Sequence, residues 1–312
     1  MIDLRLAITT ASFLPWTALS VRAVRRVFAF AQTNGFDGVE VLITRAVCRG
    51  YRGGAFSDLA QRTVSTHEVW NPRDTMLREI LRILRRKPQS RGMVPYPMDG
   101  IFFNNRDASE GVLFDLAADA NGIAVVSQLT SPVTGRRYES DRAAVQVHSD
   151  LGPGGAHMPL RNVREAVIRE NYPVVLDTNH VRRRVRMCVD GFTEIAPPVA
   201  GPDDLSLGGI ARVWHAFSDR VALAHFQPNN AAELRELLGR GTLPPSLDEF
   251  RAILPALAER RVPVVIEISP PMAADVAGGK ALARQGATTG AAEDVLRRVK
   301  DVLARDAAMA QR

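Results

Sequence analysis

The chain has 312 residues, 46% hydrophobic and 24% charged, which is enough to bury a large core without covalent staples. Its two cysteines, Cys48 and Cys188, exclude a disulfide framework or a zinc ribbon and point to inert thiols in a reducing cytoplasm. The formal charge of +6 comes almost entirely from arginine, and no aromatic residues interleave the basic runs, so arginines solvated on helix faces are favoured over a grip on nucleic acid or another anion.

No apolar run is long enough to span a bilayer. The apolar stretch after Asp3 and Arg5 is broken by Thr9, Thr10 and Pro15, which suits a first strand (Leu4 to Ile8) and its loop, with a processed leader as the alternative. Val21, Val24, Val27, Phe28 and Ala31 recur at helical spacing over residues 20–33, and Asn34-Gly35 ends that helix. GVEVLI (38–43) and RTVSTHEVW (62–70) read as the second and third strands. A basic helix is expected over 75–86, then a Pro-, Gly- and Asn-rich stretch at 87–107 that reads as a lid-like insertion. A helix over 108–120 leads to a strand at 123–129 and another at 143–148. A glycine-rich turn at 152–155 and a helix over 160–170 lead to the strand 173–177. A helix over 205–217 precedes the strand 221–225, and one over 246–259, with Ser246 and Glu249 spaced as a capping box, precedes the strand 262–268. A polar helix over 291–307 closes the chain. Eight strands, each followed by a helix or a long loop, predict an α/β fold: one (β/α)8 TIM-barrel domain spanning residues 1–312.

Polar residues gather at the carboxyl ends of these apolar strands. The third ends in Ser65-Thr66-His67-Glu68, the fifth in His148-Ser149-Asp150, the sixth in Asp177-Thr178-Asn179-His180, the seventh in His225 and the eighth in Glu267. In a barrel those ends share one face, where active sites are built. Burying a lone carboxylate costs several kcal/mol unless it is paired or on a metal, so Asp177 and Glu267 invite a divalent cation, with His225 and His148 as further ligands. Carboxylate and imidazole donors suit manganese, cobalt, iron or zinc, and magnesium less well. A strand-end Asp is also a common helix cap, and a single His is more often structural than a ligand. Glu40, inside GVEVLI, either meets substrate or supports the barrel floor, and Trp16 and Trp70 are placed to wall the pocket. Arg182-Arg183-Arg184 reads as a solvated face ahead of a phosphate grip.

The segments GFDGVEVLI, STHEVW, VVLDTNHV, VALAHFQP and VVIEISP resemble strand ends of the xylose-isomerase-like barrels, which include sugar and sugar-phosphate isomerases and epimerases, inosose dehydratases and endonuclease-IV-type nucleases. The resemblance runs from about Leu4 to Pro270, and LDTNH is its most specific piece. It implies one metal held by Glu, Asp, His and Glu from strands five to eight: Asp177, His225 and Glu267 match the last three. His180 matches a residue that meets substrate in the epimerases and metal in the nucleases, and His67 matches a pocket histidine. The fifth-strand Glu is missing, with His148 in its expected place, and the fourth strand has Ser127-Gln128 where the nucleases carry a His.

The leading expectation is therefore a metal-dependent isomerase or epimerase acting on a small polar substrate, a sugar or related polyol, through an enediolate-type intermediate. Glu267, with His180 or His148, would move the proton, while His67, Glu40, Trp16 and Trp70 would contact substrate. A lyase or dehydratase would use the same parts. The alternatives are a nuclease acting at apurinic sites and a catalytically altered barrel that binds a ligand or a partner. A homo-oligomer is compatible with the sequence and not specified by it.

Overall fold

In the computed structural model the described residues are 3–14, 16–68, 106–127, 129–131, 134–146, 167–182, 209–285 and 289–310. Eight parallel strands close into a barrel in chain order: β1 (Leu6–Thr9), β2 (Gly38–Leu42), β3 (Thr63–His67), β4 (Ile123–Val126), β5 (Ala143–Gln146), β6 (Val174–Asp177), β7 (Val221–Phe226) and β8 (Val264–Ile266). The seam is a parallel pairing of β1 with β8, Leu6 opposite Val264 and Ile8 opposite Ile266.

The strands are apolar on both faces because both are covered. Side chains alternate across the sheet, so Val174, Leu176, Ala224 and Ile266 face the helices in the main core, while Ala7, Val125, Ala144, Val175, Leu223 and Val265 form a separate cluster inside the barrel. That inner plug is the floor on which the next interior layer stands. Gly38 is required where β2 meets β3: a Cβ there would lie 2.6 Å from both the Arg62 carbonyl oxygen and Val64 Cγ1.

Around the barrel lie α1 (Trp16–Leu19), α2 (Val21–Thr33), α3 (Arg45–Arg52), α4 (Arg106–Asp119), α5 (Gly209–Phe217), α6 (Ala231–Arg240), α7 (Asp248–Glu259), α8 (Pro270–Gln285) and α9 (Thr289–Ala310). Ser20 caps α2 through its hydroxyl, 3.4 Å from the Ala23 amide, and Gly35 at φ +64° follows the Asn34 cap as the sequence predicts. In α9, Val295, Leu296, Val299, Val302 and Leu303 make one buried stripe, packed against α7 and α8. Among the described residues no helix is long and apolar enough to cross a membrane.

Three expectations change. The Ser246–Glu249 capping box does not form: α7 starts after a 3-10 turn with no side-chain cap. Glu249 instead accepts the free amides of Ile210 and Ala211 at the start of α5, at 3.1 and 3.0 Å, because a neighbouring helix offers the same unsatisfied donors as its own. The strand expected over 123–129 is β4 up to Val126, and Leu129 beyond it accepts the Tyr138 amide in a hairpin-like turn. Four helices absent from the sequence reading are present among the described residues: α1, α3, α6 and α8. The helix at 75–86, the glycine turn at 152–155 and all but the last two residues of the 87–107 stretch lie outside the described residues; Arg106 and Asp107 open α4.

Candidate metal centre

Strand alternation builds the site. Two residues beyond Ala144, Val175, Leu223 and Val265 of the inner plug come Gln146, Asp177, His225 and Glu267, the next interior layer at the carboxyl ends of β5 to β8. Asp177 and His225 are register partners on adjacent strands. Asp177, His225 and Glu267 each offer one ligand atom, and these atoms all lie within 4.8 Å of one another. Two carboxylates and an imidazole converging above an apolar floor are a donor set that fits manganese, cobalt, iron or zinc.

Each donor is held by the chain. Asp177 divides its oxygens: Oδ1 accepts the backbone amides of Asn179 and His180, both at 2.8 Å, and so caps the helical turn 178–182, while Oδ2 lies 3.4 Å from His225 Nδ1. The cap and the inward-facing donor are thus two halves of one side chain. His225 is fully buried, and its Nε2 lies 2.9 Å from Glu40 Oε2, which also accepts the Ser65 hydroxyl at 2.9 Å. Next to Glu267, the Ile268 amide donates to Ser12 Oγ at 3.0 Å, and the Glu267 amide donates to the Phe226 carbonyl at 3.0 Å.

The electrostatics follow from that burial. Burial alone would raise the carboxyl group of Glu40, but the charge and hydrogen bond of His225, the charge of His67 and the Ser65 hydroxyl outweigh it and bring it down to about 2. Burial would likewise raise Asp177, yet His180, His225 and the His180 amide hold it well below the usual carboxylate range. Burial opposes a charge on His225, and Glu40 and Asp177 override it, raising its pKa well above the ordinary histidine value. A proton on His225 and a cation beside Asp177 therefore compete for the same negative pocket.

The other residues singled out in the sequence fall in different places. His67 lies in the cluster, its ring 5.6 Å from that of His225, with Nδ1 2.7 Å from the Glu68 carbonyl oxygen and Nε2 3.0 Å from Gln146 Oε1. The His180 side chain is 19% exposed, and its Nε2 is 4.0 Å from Asp177 Oδ2. Glu40 is buried beneath His225, with Oε2 committed to His225 and Ser65. Trp16 opens α1 just past β1 and is 43% exposed. His148 and Trp70 lie outside the described residues.

Two residues were missed. Gln146, not assigned any role in the sequence reading, stands where β5 meets Asp177 and His225; counting two residues on from Ala144, as for the other strands, is the signal that finds it. Arg182 is no solvated residue. It is 4% exposed, grips Glu233 with two nitrogens at 2.6 and 3.1 Å, and donates to the carbonyls of Thr178 and Gln227, tying the turn after β6 to the turn after β7 and to α6.

No family model and no curated protein matches the chain. Among solved structures it is similar to a D-allulose 3-epimerase from Methylomonas sp.. The two share 15% identity with a TM-score of 0.43, over 98% of this chain and 99% of that one. A second structure of that epimerase, in complex with D-allulose, matches at 15% identity and a TM-score of 0.40, over 96% of each chain. The closed eight-stranded barrel itself, rather than this likeness, establishes the fold.

Proposed function

We propose that this barrel is a divalent-metal-dependent isomerase or epimerase of a sugar or sugar-like polyol. The observation that carries the reading is the convergence of Asp177, His225 and Glu267 within 4.8 Å at the carboxyl ends of three neighbouring strands. The strand-end segments, LDTNH above all, support the sugar class through their resemblance to the xylose-isomerase-like barrels.

A bound cation would supply the positive charge that acidifies a proton beside a substrate carbonyl. The chain's own residues divide the remaining work. Glu267, at 8% exposure the least buried of the three donors, is the carboxylate placed to take and return that proton. His180, partly exposed at the rim with its amide pinned to Asp177, and His67, beside the donors, are placed to hydrogen-bond substrate hydroxyls. Glu40 holds the His225 ring from behind and keeps its other nitrogen turned toward Asp177.

Gln146 favours a second reading. A carboxamide cannot act as a base, so an altered barrel that binds its ligand without turning it over also accounts for the site. Metal analysis by mass spectrometry, beside an Asp177→Ala/Glu267→Ala double variant, tests the metal. Manganese, cobalt, iron or zinc near one equivalent in the wild type and lost in the variant is expected, and a wild-type protein that stays empty after incubation with those ions overturns the proposal. With metal in place, interconversion of ketoses or aldoses on a broad panel supports the enzyme, and ligand protection without turnover supports the binding barrel.

A further inference from the structure

The proposed reaction leaves Gln146 without a role, yet it lies at the centre of the cluster and is only 3% exposed. Its Nε2 donates to Asp177 Oδ2 at 2.8 Å and lies 3.3 Å from His225 Nδ1, while its Oε1 lies 3.0 Å from His67 Nε2. The carboxamide NH2 therefore sits against two of the three residues able to hold a cation, and the amide oxygen is turned away from them.

A carboxamide is nearly symmetric in shape and strongly asymmetric in charge, so a half-turn exchanges donor for acceptor at little steric cost. Two neighbours compete for its NH2. The Asp177 carboxylate can only accept, and so draws the donor inward. His67 has Nδ1 2.7 Å from the Glu68 carbonyl oxygen; in its neutral form, an imidazole that donates there from Nδ1 presents a lone pair at Nε2, and so draws the same NH2 outward. A cation beside Asp177 and His225 decides the contest: it repels the NH2 and attracts the amide oxygen.

We propose that Gln146 is a neutral fourth ligand of the metal site, its amide turning when the cation binds so that Oε1 faces the metal and the NH2 faces His67. The inference rests on the metal-dependent reading above. It gives the donor set of Gln146, Asp177, His225 and Glu267 two carboxylates, whose charge a divalent cation neutralises. A glutamate at position 146 would add a third carboxylate, as in the Glu, Asp, His and Glu set that the resemblance implies, and leave the filled donor set with one negative charge in excess.

The test is titration of the metal-free full-length protein with cobalt(II), followed by calorimetry and by the visible absorption of the bound ion, in wild type, Gln146→Met, Gln146→Glu and Asp177→Ala. Gln146→Met fills the space without a ligand oxygen and is expected to weaken binding about tenfold or more and to change the cobalt spectrum. Gln146→Glu sets a carboxylate against Asp177, so it is expected to lower the melting temperature of the metal-free protein and to tighten cobalt binding. Should Gln146→Met fail to fold, the side-chain amide resonances of Gln146 in wild type, recorded with and without zinc, read the same turn. Wild-type cobalt binding that is abolished by Asp177→Ala but unchanged in affinity and spectrum by Gln146→Met overturns the Gln146 proposal alone. Amide resonances unmoved by zinc do the same. A wild type that binds no cobalt overturns both this proposal and the metal-dependent reading.

Discussion

His225 shows how much a single buried side chain depends on what stands behind it. The ring has Asp177 on one nitrogen and Glu40 on the other, and rotation of this fully buried ring would forfeit both contacts. Glu40 thus orients the ring and raises the basicity of the nitrogen facing Asp177. Glu40→Gln keeps a hydrogen-bonding group there but removes the charge, so metal affinity is expected to fall by about 10- to 100-fold, read by competition with a chromogenic chelator. Unchanged affinity would show that Glu40 only fills the floor. The sequence reading set Glu40 either at the substrate or on the barrel floor, both inside the barrel. Its partner was not legible, because it lies across the barrel on β7, 185 residues along the chain. Asp177 was legible as both a cap and a candidate ligand; one of its oxygens caps the turn and the other faces His225.

At the scale of elements, the carboxyl ends of β6 and β7 are held in place by Arg182 and Glu233. The carboxylate of Glu233 also accepts the Ser246 hydroxyl and the Asn229 amide, both at 2.6 Å, so the pair is well satisfied on both sides. Removing one partner strands the other charge: Glu233→Ala is expected to cost about 3–5 kcal/mol in urea unfolding, and Arg182→Met combined with Glu233→Leu to recover much of it. Burial tends to raise the Glu233 carboxyl group, but the hydrogen bond and charge of Arg182, with Ser246 and the Asn229 amide, lower it below the ordinary value of 4.5. A depressed carboxylate contributes stability above its unfolded value and loses it as pH falls through the folded one. Wild type should therefore lose its advantage over Glu233→Gln as the solution is acidified below about pH 4.5, measured as urea midpoints across that range. The sequence reading treated Arg182 as one of three like arginines, since a charge run says nothing about which member turns inward. The capping box failed for a related reason: the spacing of Ser246 and Glu249 is local, but their partners, Glu233 and the start of α5, are brought up by the fold.

For the whole molecule, the order of strands was the most legible feature, because eight apolar runs recur around a closed sheet and five of them end in the polar residues named above. Closure joins β1 to β8 across almost the full chain, and the proposed ligands Asp177, His225 and Glu267 sit at the ends of the last three strands before that seam. A cation held by all three would link elements that the chain otherwise brings together only through long-range pairing. Binding to the folded state alone stabilises it by mass action, about 2.7 kcal/mol when free metal is 100 times its dissociation constant. In a chain of this size that corresponds to an expected rise of about 5 °C in melting temperature, using roughly 2 °C per kcal/mol for larger domains. Scanning calorimetry of metal-free protein against increasing manganese or zinc should show the midpoint climbing with the logarithm of free metal. The Asp177→Ala/Glu267→Ala variant should show no such climb, because unfolded-chain or surface binding would survive those substitutions and a three-strand site would not. A rise of equal slope in both proteins would place the metal elsewhere and leave the three donors as a charge cluster balanced by the proton on His225.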